Sequence, residues 1–223
     1  MRIPALYWAV IEKIVVQVTQ FVLGVVLARM LTPEDFGLFA ILGIFLALSN
    51  SFVNSGFGQA IIQRKSITYS EETAVFTFNI MVSVVFSFLL ICSSRYIADF
   101  YAKSELEGMI MIMSLTIVLN AFSLVPRSKL TKQLRFDVSF RVNSLGVFLG
   151  AATSVILASN GYSFWSLVIG AVVKEISLTI LYYYHMKWRP KLNFRFRSIR
   201  SLYTYGSRLF LVSISNSIFF NLH

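Results

Sequence analysis

Charge is scarce in this chain, and so are the residues that usually do chemistry. Asp, Glu, Lys and Arg make up 13% of its 223 residues, against about 25% in an ordinary soluble domain. A single cysteine, Cys92, rules out an internal disulfide. No CxxC, HExxH, P-loop or GxGxxG pattern occurs, so thiol redox chemistry, zinc hydrolysis and nucleotide binding all lack their usual signatures. The two histidines, His185 and His223, fall at the ends of apolar runs, where an interfacial place fits better than catalysis. The expectation is a protein that is not an enzyme and carries no cofactor or metal.

What is abundant is hydrocarbon. Hydrophobic residues reach 57% and the mean hydropathy is +0.71. A membrane span needs about 20 mostly apolar residues. Six windows meet that length, near 6–30, 36–57, 73–96, 108–125, 138–158 and 163–184, and a seventh begins near residue 202. The first window carries Glu12, Lys13, Gln17 and Gln20 and precedes no mature soluble domain, so it is not a cleavable signal peptide. The fold class expected is all-α: a polytopic membrane protein with a six-helix transmembrane lobe over 1–186. A basic cytoplasmic inter-lobe linker over 187–201 then leads into the first, truncated helix of a second lobe over 202–223.

The net charge of +10 invites a nucleic-acid reading, especially where basic and aromatic residues alternate between Lys187 and Arg197. Its distribution argues against one, because the charge sits in short connections between apolar runs. One set of alternate connections holds fourteen cations: Arg2, Arg64, Lys65, Arg127, Lys129, Lys132, Arg135, Arg141, Lys187, Arg189, Lys191, Arg195, Arg197 and Arg200. The other holds Arg29, Arg95 and Lys103. By the positive-inside rule, the N-terminus and the first set lie in the cytoplasm.

Between the first two runs stands Leu27-Ala-Arg-Met-Leu-Thr-Pro-Glu-Asp-Phe-Gly37. Thr32 suits a helix N-cap, and Pro33 suits the first helical position, where its missing N–H costs nothing. Glu34 and Asp35 then occupy the first turn, favourable against the helix dipole. This is a tight turn at the outer face. Together with Trp8, the Ile11-Glu-Lys13 triplet and Ser55-Gly-Phe-Gly-Gln-Ala-Ile-Ile-Gln-Arg-Lys65, it resembles bacterial polysaccharide (O-antigen, Wzx-type) flippases. These belong to the multidrug/oligosaccharidyl-lipid/polysaccharide exporter superfamily. The resemblance continues through Lys129–Phe136, Gly161–Trp165 and Trp188-Arg-Pro190, and covers essentially the whole chain.

That resemblance implies translocation of a polyprenyl-pyrophosphate-linked oligosaccharide across the bacterial cytoplasmic (inner) membrane by alternating access, for surface polysaccharide or lipopolysaccharide biosynthesis. The partners expected are the lipid-linked oligosaccharide, membrane lipid, and a second lobe or second copy of the chain. Transporters of this kind have two lobes, so the chain is expected to be a truncated or split half. Three alternatives stand beside this reading. A membrane glycan polymerase or acyltransferase would carry a catalytic set on a large outer loop, and the outer loops here are short. A drug or cation antiporter of the superfamily would favour an acidic interior, against the cationic balance. A non-transporting fragment or accessory lobe is the third.

A flippase must pass sugar and charge through hydrocarbon, so its helices should carry polar stripes facing an aqueous interior. Stripes appear at Lys13, Gln17, Gln20 and Gly24; at Asn50 and Asn54; at Asn79, Ser83 and Ser87; at Thr116, Asn120 and Ser123; and at Ser163, Ser166, Gly170, Lys174 and Ser177. Gly146, Gly150 and Ser154 follow small-xxx-small spacing, which favours packing. Lys13 and Lys174 are the cations placed to meet a pyrophosphate. Gln17, Gln20, Asn50, Asn54 and Asn120 are the candidates for sugar hydroxyls. Glu12 and Glu175 are the carboxylates available for ion coupling. Glu175 follows Lys174 but points roughly 100° away on a helix, which suggests separate partners.

The orientation is testable with Ser198→Cys in intact cells. A membrane-impermeant thiol reagent is expected to leave this cysteine unlabelled, and strong labelling from outside would invert the topology.

Overall fold

In lipid a backbone N–H or C=O has no water to bond, so a spanning segment must satisfy itself as a helix or close into a barrel. The computed structural model describes residues 5–53, 57–64, 66–186 and 188–190, and these contain helices and no strand. The elements are α1 (Ala5–Ala28), α2 (Pro33–Val53), α3 (Phe57–Gln63), α4 (Tyr69–Phe100), α5 (Glu105–Lys132), α6 (Phe136–Ser159) and α7 (Trp165–Met186). All but the short α3 are long and apolar enough to cross a membrane. The all-α, six-span reading holds. The seventh helix found is α3, whereas the seventh apolar run expected from residue 202 lies outside the described residues, as do Lys187 and 191–201.

Two helices run past their apolar windows. α4 starts at Tyr69 because Thr68 and Glu71 form a capping box: Thr68 Oγ1 accepts from the Glu71 N–H, and Glu71 Oε2 accepts from the Thr68 N–H at 2.9 Å. α5 continues to Lys132. Arg127, Lys129 and Lys132 therefore ride on helix rather than on the loop expected for them, as does Arg141 in α6. The extension is paired. Lys129 Nζ meets Glu72 Oε2 of α4 at 2.7 Å, and both are largely buried.

α5 is the hub, packing against α2, α3, α4, α6 and α7, while α1 leans on α6. Half of the apolar window of α5 is buried, against 6% for α1, so α5 is the core and α1 the rim. The α4–α5 contact absorbs much of the polar content. Ser87 Oγ donates across it to the Ser114 carbonyl at 3.2 Å, while the equally buried Asn79 and Ser83 bond carbonyls of α4 itself. None of the three lines either of the hollows described below. Several other hydroxyls, including Ser49, Thr77, Ser94 and Thr116, turn back onto carbonyls of their own helix.

α6 and α7 meet through small residues. A Cβ on Gly170 would lie 1.8 Å from Ser154 Oγ and 2.9 Å from the Gly150 carbonyl. One on Gly150 would lie 2.7 Å from Lys174 Cβ. The packing reading of Gly146, Gly150 and Ser154 stands, and Gly170 joins it on the opposite side instead of facing an interior cavity. α3 approaches α5 in the same way: a Cβ on Gly58 would lie 3.1 Å from Ser128 Oγ, and Ala60 and Ile61 are fully buried against Leu124 and Val125.

Each end of the bundle is tied. At one end Asp35, at 5% exposure, accepts from the Thr32 N–H at 2.9 Å, the Thr32 hydroxyl at 2.8 Å and the Ser163 hydroxyl at 2.5 Å. The cap expected at Thr32 is present, and its acidic partner also pins the α6–α7 turn, where Ser163 adopts a φ of 36°. Lys103 pairs with Glu34 nearby, and that hydrogen bond holds the lysine above its usual pKa. At the other end Trp188 folds back onto α4 and α5, its indole N–H donating to Glu72 at 3.0 Å.

Gly170→Ala is expected to lower the unfolding midpoint of the detergent-solubilised protein, since overpacking costs about 1–3 kcal/mol. Gly43→Ala, with nothing within 4 Å of the added methyl, should match wild type. Equal midpoints for both would refute close α6–α7 packing.

Candidate polar cleft between four helices

The thin packing of α1 leaves a cleft of about 270 Å³ where α1, α5, α6 and α7 converge. α1 contributes Glu12, Lys13, Val16 and Gln20, which recur on one helical face at spacings of three and four. α5 contributes Asn120, Ser123 and Arg127, α6 Asn143 and Val147, and α7 Lys174, Glu175, Leu178 and Tyr182. Three cations face two carboxylates, so the lining is net positive. This is an unusual concentration of charge for helices that span hydrocarbon.

A hydrogen-bonded chain crosses the cleft. Tyr182 O–H donates to Asn143 Oδ1 at 3.0 Å, and Asn143 Nδ2 donates to Glu12 Oε1 at 2.6 Å. Among the described residues it is the one side-chain hydrogen bond joining α1 to another helix, supported by Trp8 against the Phe140 ring at 5.4 Å. Lys174 lies nine residues past Trp165, roughly 14 Å into α7 at 1.5 Å per residue. Its stem rises from the tight crossing over Gly150. Lys174 Nζ meets Glu175 Oε1 at 3.3 Å. The separate partners expected for these two neighbours are thus corrected: both side chains are long enough to fold toward one another over the same cleft.

Of the residues proposed from sequence, Glu12, Lys13, Gln20, Asn120, Lys174 and Glu175 come together here. Gln17 is exposed beside the cleft and does not line it. Asn50 reaches it only through Asn120, whose Nδ2 donates to Asn50 Oδ1 at 3.0 Å, and Asn54 lies outside the described residues. Ser163 and Ser166 serve the α6–α7 turn. Arg127, Asn143 and Tyr182 were missed as cleft residues. Arg127 falls past the apolar window of its helix, Asn143 lies in the span read for its small-residue packing, and Tyr182 reads as an interfacial aromatic. A second hollow of about 260 Å³, between Phe45, Leu48 and Ser49 of α2 and Phe86, Leu89, Leu90 and Ser93 of α4, is mostly apolar and offers little beyond hydrocarbon contact. Among the described residues no three His, Cys, Asp or Glu gather as a metal site would require.

The family described as polysaccharide biosynthesis protein matches residues 26–223. The chain belongs to that family. It is 27% identical to the lipopolysaccharide biosynthesis protein WzxC of Escherichia coli (strain K12), over 96% of this chain and 44% of that protein. It is also 27% identical to the teichuronic acid biosynthesis protein TuaB of Bacillus subtilis (strain 168), over 90% of this chain and 42% of that protein. With the succinoglycan biosynthesis transport protein ExoT of Rhizobium meliloti (strain 1021), identity is 24% over 96% and 43%. The chain therefore spans less than half the length of these relatives. No solved structure matches it. The resemblance drawn from LARMLTPEDFG and its companions is borne out at the level of the family.

The role of Asn143 in holding α1 is testable. With Gln20→Cys in a Cys92→Ser background, adding Asn143→Val is expected to raise the labelling rate by a hydrophilic maleimide severalfold. An unchanged rate would mean that the Glu12–Asn143 bond does not restrain α1.

Proposed function

We propose that this chain contributes one lobe of a transporter that moves a lipid-linked oligosaccharide across the bacterial cytoplasmic membrane, for surface polysaccharide biosynthesis. The observation that carries the reading is a net-cationic, amide-lined cleft inside helices that span hydrocarbon. A pyrophosphate headgroup needs fixed cations where water is scarce, and Lys13 and Lys174 supply them. Gln20 and Asn120 offer donors and acceptors to sugar hydroxyls, with Asn50 behind Asn120 fixing its amide. The lipid tail stays in the bilayer, against faces such as those lined by Leu48 and Leu89. Moving such a molecule breaks no covalent bond, so no nucleophile is asked of the chain. Glu12 is bonded to Asn143 and Glu175 is paired with Lys174, and in this reading either carboxylate, on taking up an ion, releases its partner and so couples ion uptake to a change in α1 or α7.

Two further elements of the reading concern the setting. Family membership and relatives more than twice as long support a second lobe facing this one. The exposed polar edge of α1, with Lys13, Gln17 and Gln20, is costly against lipid and comfortable against such a partner. The basic 187–201 segment serves as the cytoplasmic linker, with the N-terminus on the same side.

The test is a chromosomal Lys174→Ala substitution in the strain that carries this gene. Surface glycan is expected to fall at least tenfold while membrane abundance holds, and Lys174→Arg should retain more, because charge is kept while the donor geometry changes. Wild-type glycan from a normally folded alanine variant would remove Lys174 from the substrate path. Parallel loss of protein and glycan would instead mark the Lys174–Glu175 pair as structural.

A further inference from the structure

Pro126 sits inside α5, two turns before its end. Proline has no N–H, so the carbonyl four residues earlier, on Phe122, loses its helical donor. Inside a membrane that carbonyl must find another partner. It does: the Tyr183 hydroxyl, reaching across from α7, donates to the Phe122 carbonyl at 3.2 Å. One turn earlier on each helix, Thr179 Oγ1, bonded to the Glu175 carbonyl of its own helix at 2.8 Å, also lies 3.2 Å from the Leu119 carbonyl and 2.9 Å from Ser123 Oγ, a second polar contact between α7 and α5.

The residue after the proline is Arg127, which faces the polar cleft. The other side of the same segment is gripped. Lys129 pairs with Glu72 and lies 5.9 Å from the Trp188 ring, and Trp188 contacts both Phe76 and Tyr183. An arginine on an uninterrupted helix would take its direction from the helix above it. Here α5 runs on through Pro126 as one helix with the ladder bond to Phe122 missing, and the bond from Tyr183 takes that place one residue before Arg127. Ordinary packing does not require a hydroxyl at this place, since a phenylalanine ring would fill the same volume.

We propose that Tyr183 is a positioning residue, which replaces the ladder bond missing at Pro126 and so holds Arg127 toward the cleft as a third contact for the anionic group of the substrate. The inference rests on the transport reading above and deepens it. Lys174 serves the middle of the cleft and Arg127 the end nearer the basic face. A guanidinium suits a phosphate oxygen pair through two parallel hydrogen bonds.

The experiment uses chromosomal substitutions, with surface glycan normalised to membrane abundance. Deletion of the gene is the reference, and if deletion leaves surface glycan intact, the transport reading fails before this inference is reached. Given loss on deletion, Arg127→Ala is expected to lower export at least tenfold and Arg127→Lys less, and wild-type export from Arg127→Ala would overturn the inference alone. Tyr183→Phe is expected to lower export about three- to tenfold, the weight of one hydrogen bond in a conformational equilibrium. Two backgrounds then separate positioning from packing. In Pro126→Ala the N–H returns and Phe122 no longer needs the tyrosine, so Tyr183→Phe should have no further effect. In Arg127→Ala it should likewise be silent. An equal loss of export or of protein from Tyr183→Phe in all backgrounds would assign the tyrosine to packing and overturn the proposal.

Discussion

A backbone carbonyl buried in hydrocarbon must be bonded by the protein itself, and most of this structure follows from that constraint. It forces the spanning segments into helices. It also explains where their hydroxyls go: Thr73, Thr77, Ser83 and Ser114 all return to carbonyls of their own helix. It accounts for one bond of the α5–α7 contact as well, where the Phe122 carbonyl, left without a donor by Pro126, is bonded by Tyr183. α5 occupies the centre because it both needs partners and supplies a long, closely packed surface to them.

Charge obeys the same economy. Near the two ends it is paired or capped, through Asp35 with Thr32 and Ser163, and through Glu72 with Lys129 and Trp188. Within the bundle it gathers in one place. α1 packs so lightly that the space between it and α5, α6 and α7 admits five charged side chains and three amides. A fully packed α1 would have closed that space. The polar cleft is thus the complement of the close α6–α7 crossing, where glycines bring one pair together and leave α1 to lean on the outer side of α6.

Much of this was legible beforehand, and the exceptions have physical causes. The six spans were legible from length and hydropathy, and the Thr32 cap from its Thr-Pro-Glu-Asp order. The packing role of Gly146, Gly150 and Ser154 was legible because spacing alone decides which faces admit a neighbour. Helix ends were less so: hydropathy stops where charge begins, but a helix does not, and α5 carries Arg127 and Lys129 past the apolar run. Polar stripes were over-read, since Asn79, Ser83 and Ser87 share the spacing of cavity residues yet are buried and bonded to carbonyls of α4 and α5. Family membership came from motifs such as LARMLTPEDFG, whose physical content is a turn and a cap.

The amino-acid sequence by itself determined that the chain spans a membrane, how many apolar helices of spanning length lie between residues 5 and 186, and which charges lie within their reach. Those are properties of segments, set by hydropathy and by the period of a helix. Only the tertiary structure decided which polar residues face one another. Glu12 meets Asn143 across 131 positions, and Tyr183 meets Phe122 across 61. Periodicity places a residue on a face but does not say which helix covers that face. That choice is made by the fit of small residues at the crossings and by the carbonyls left needing a donor.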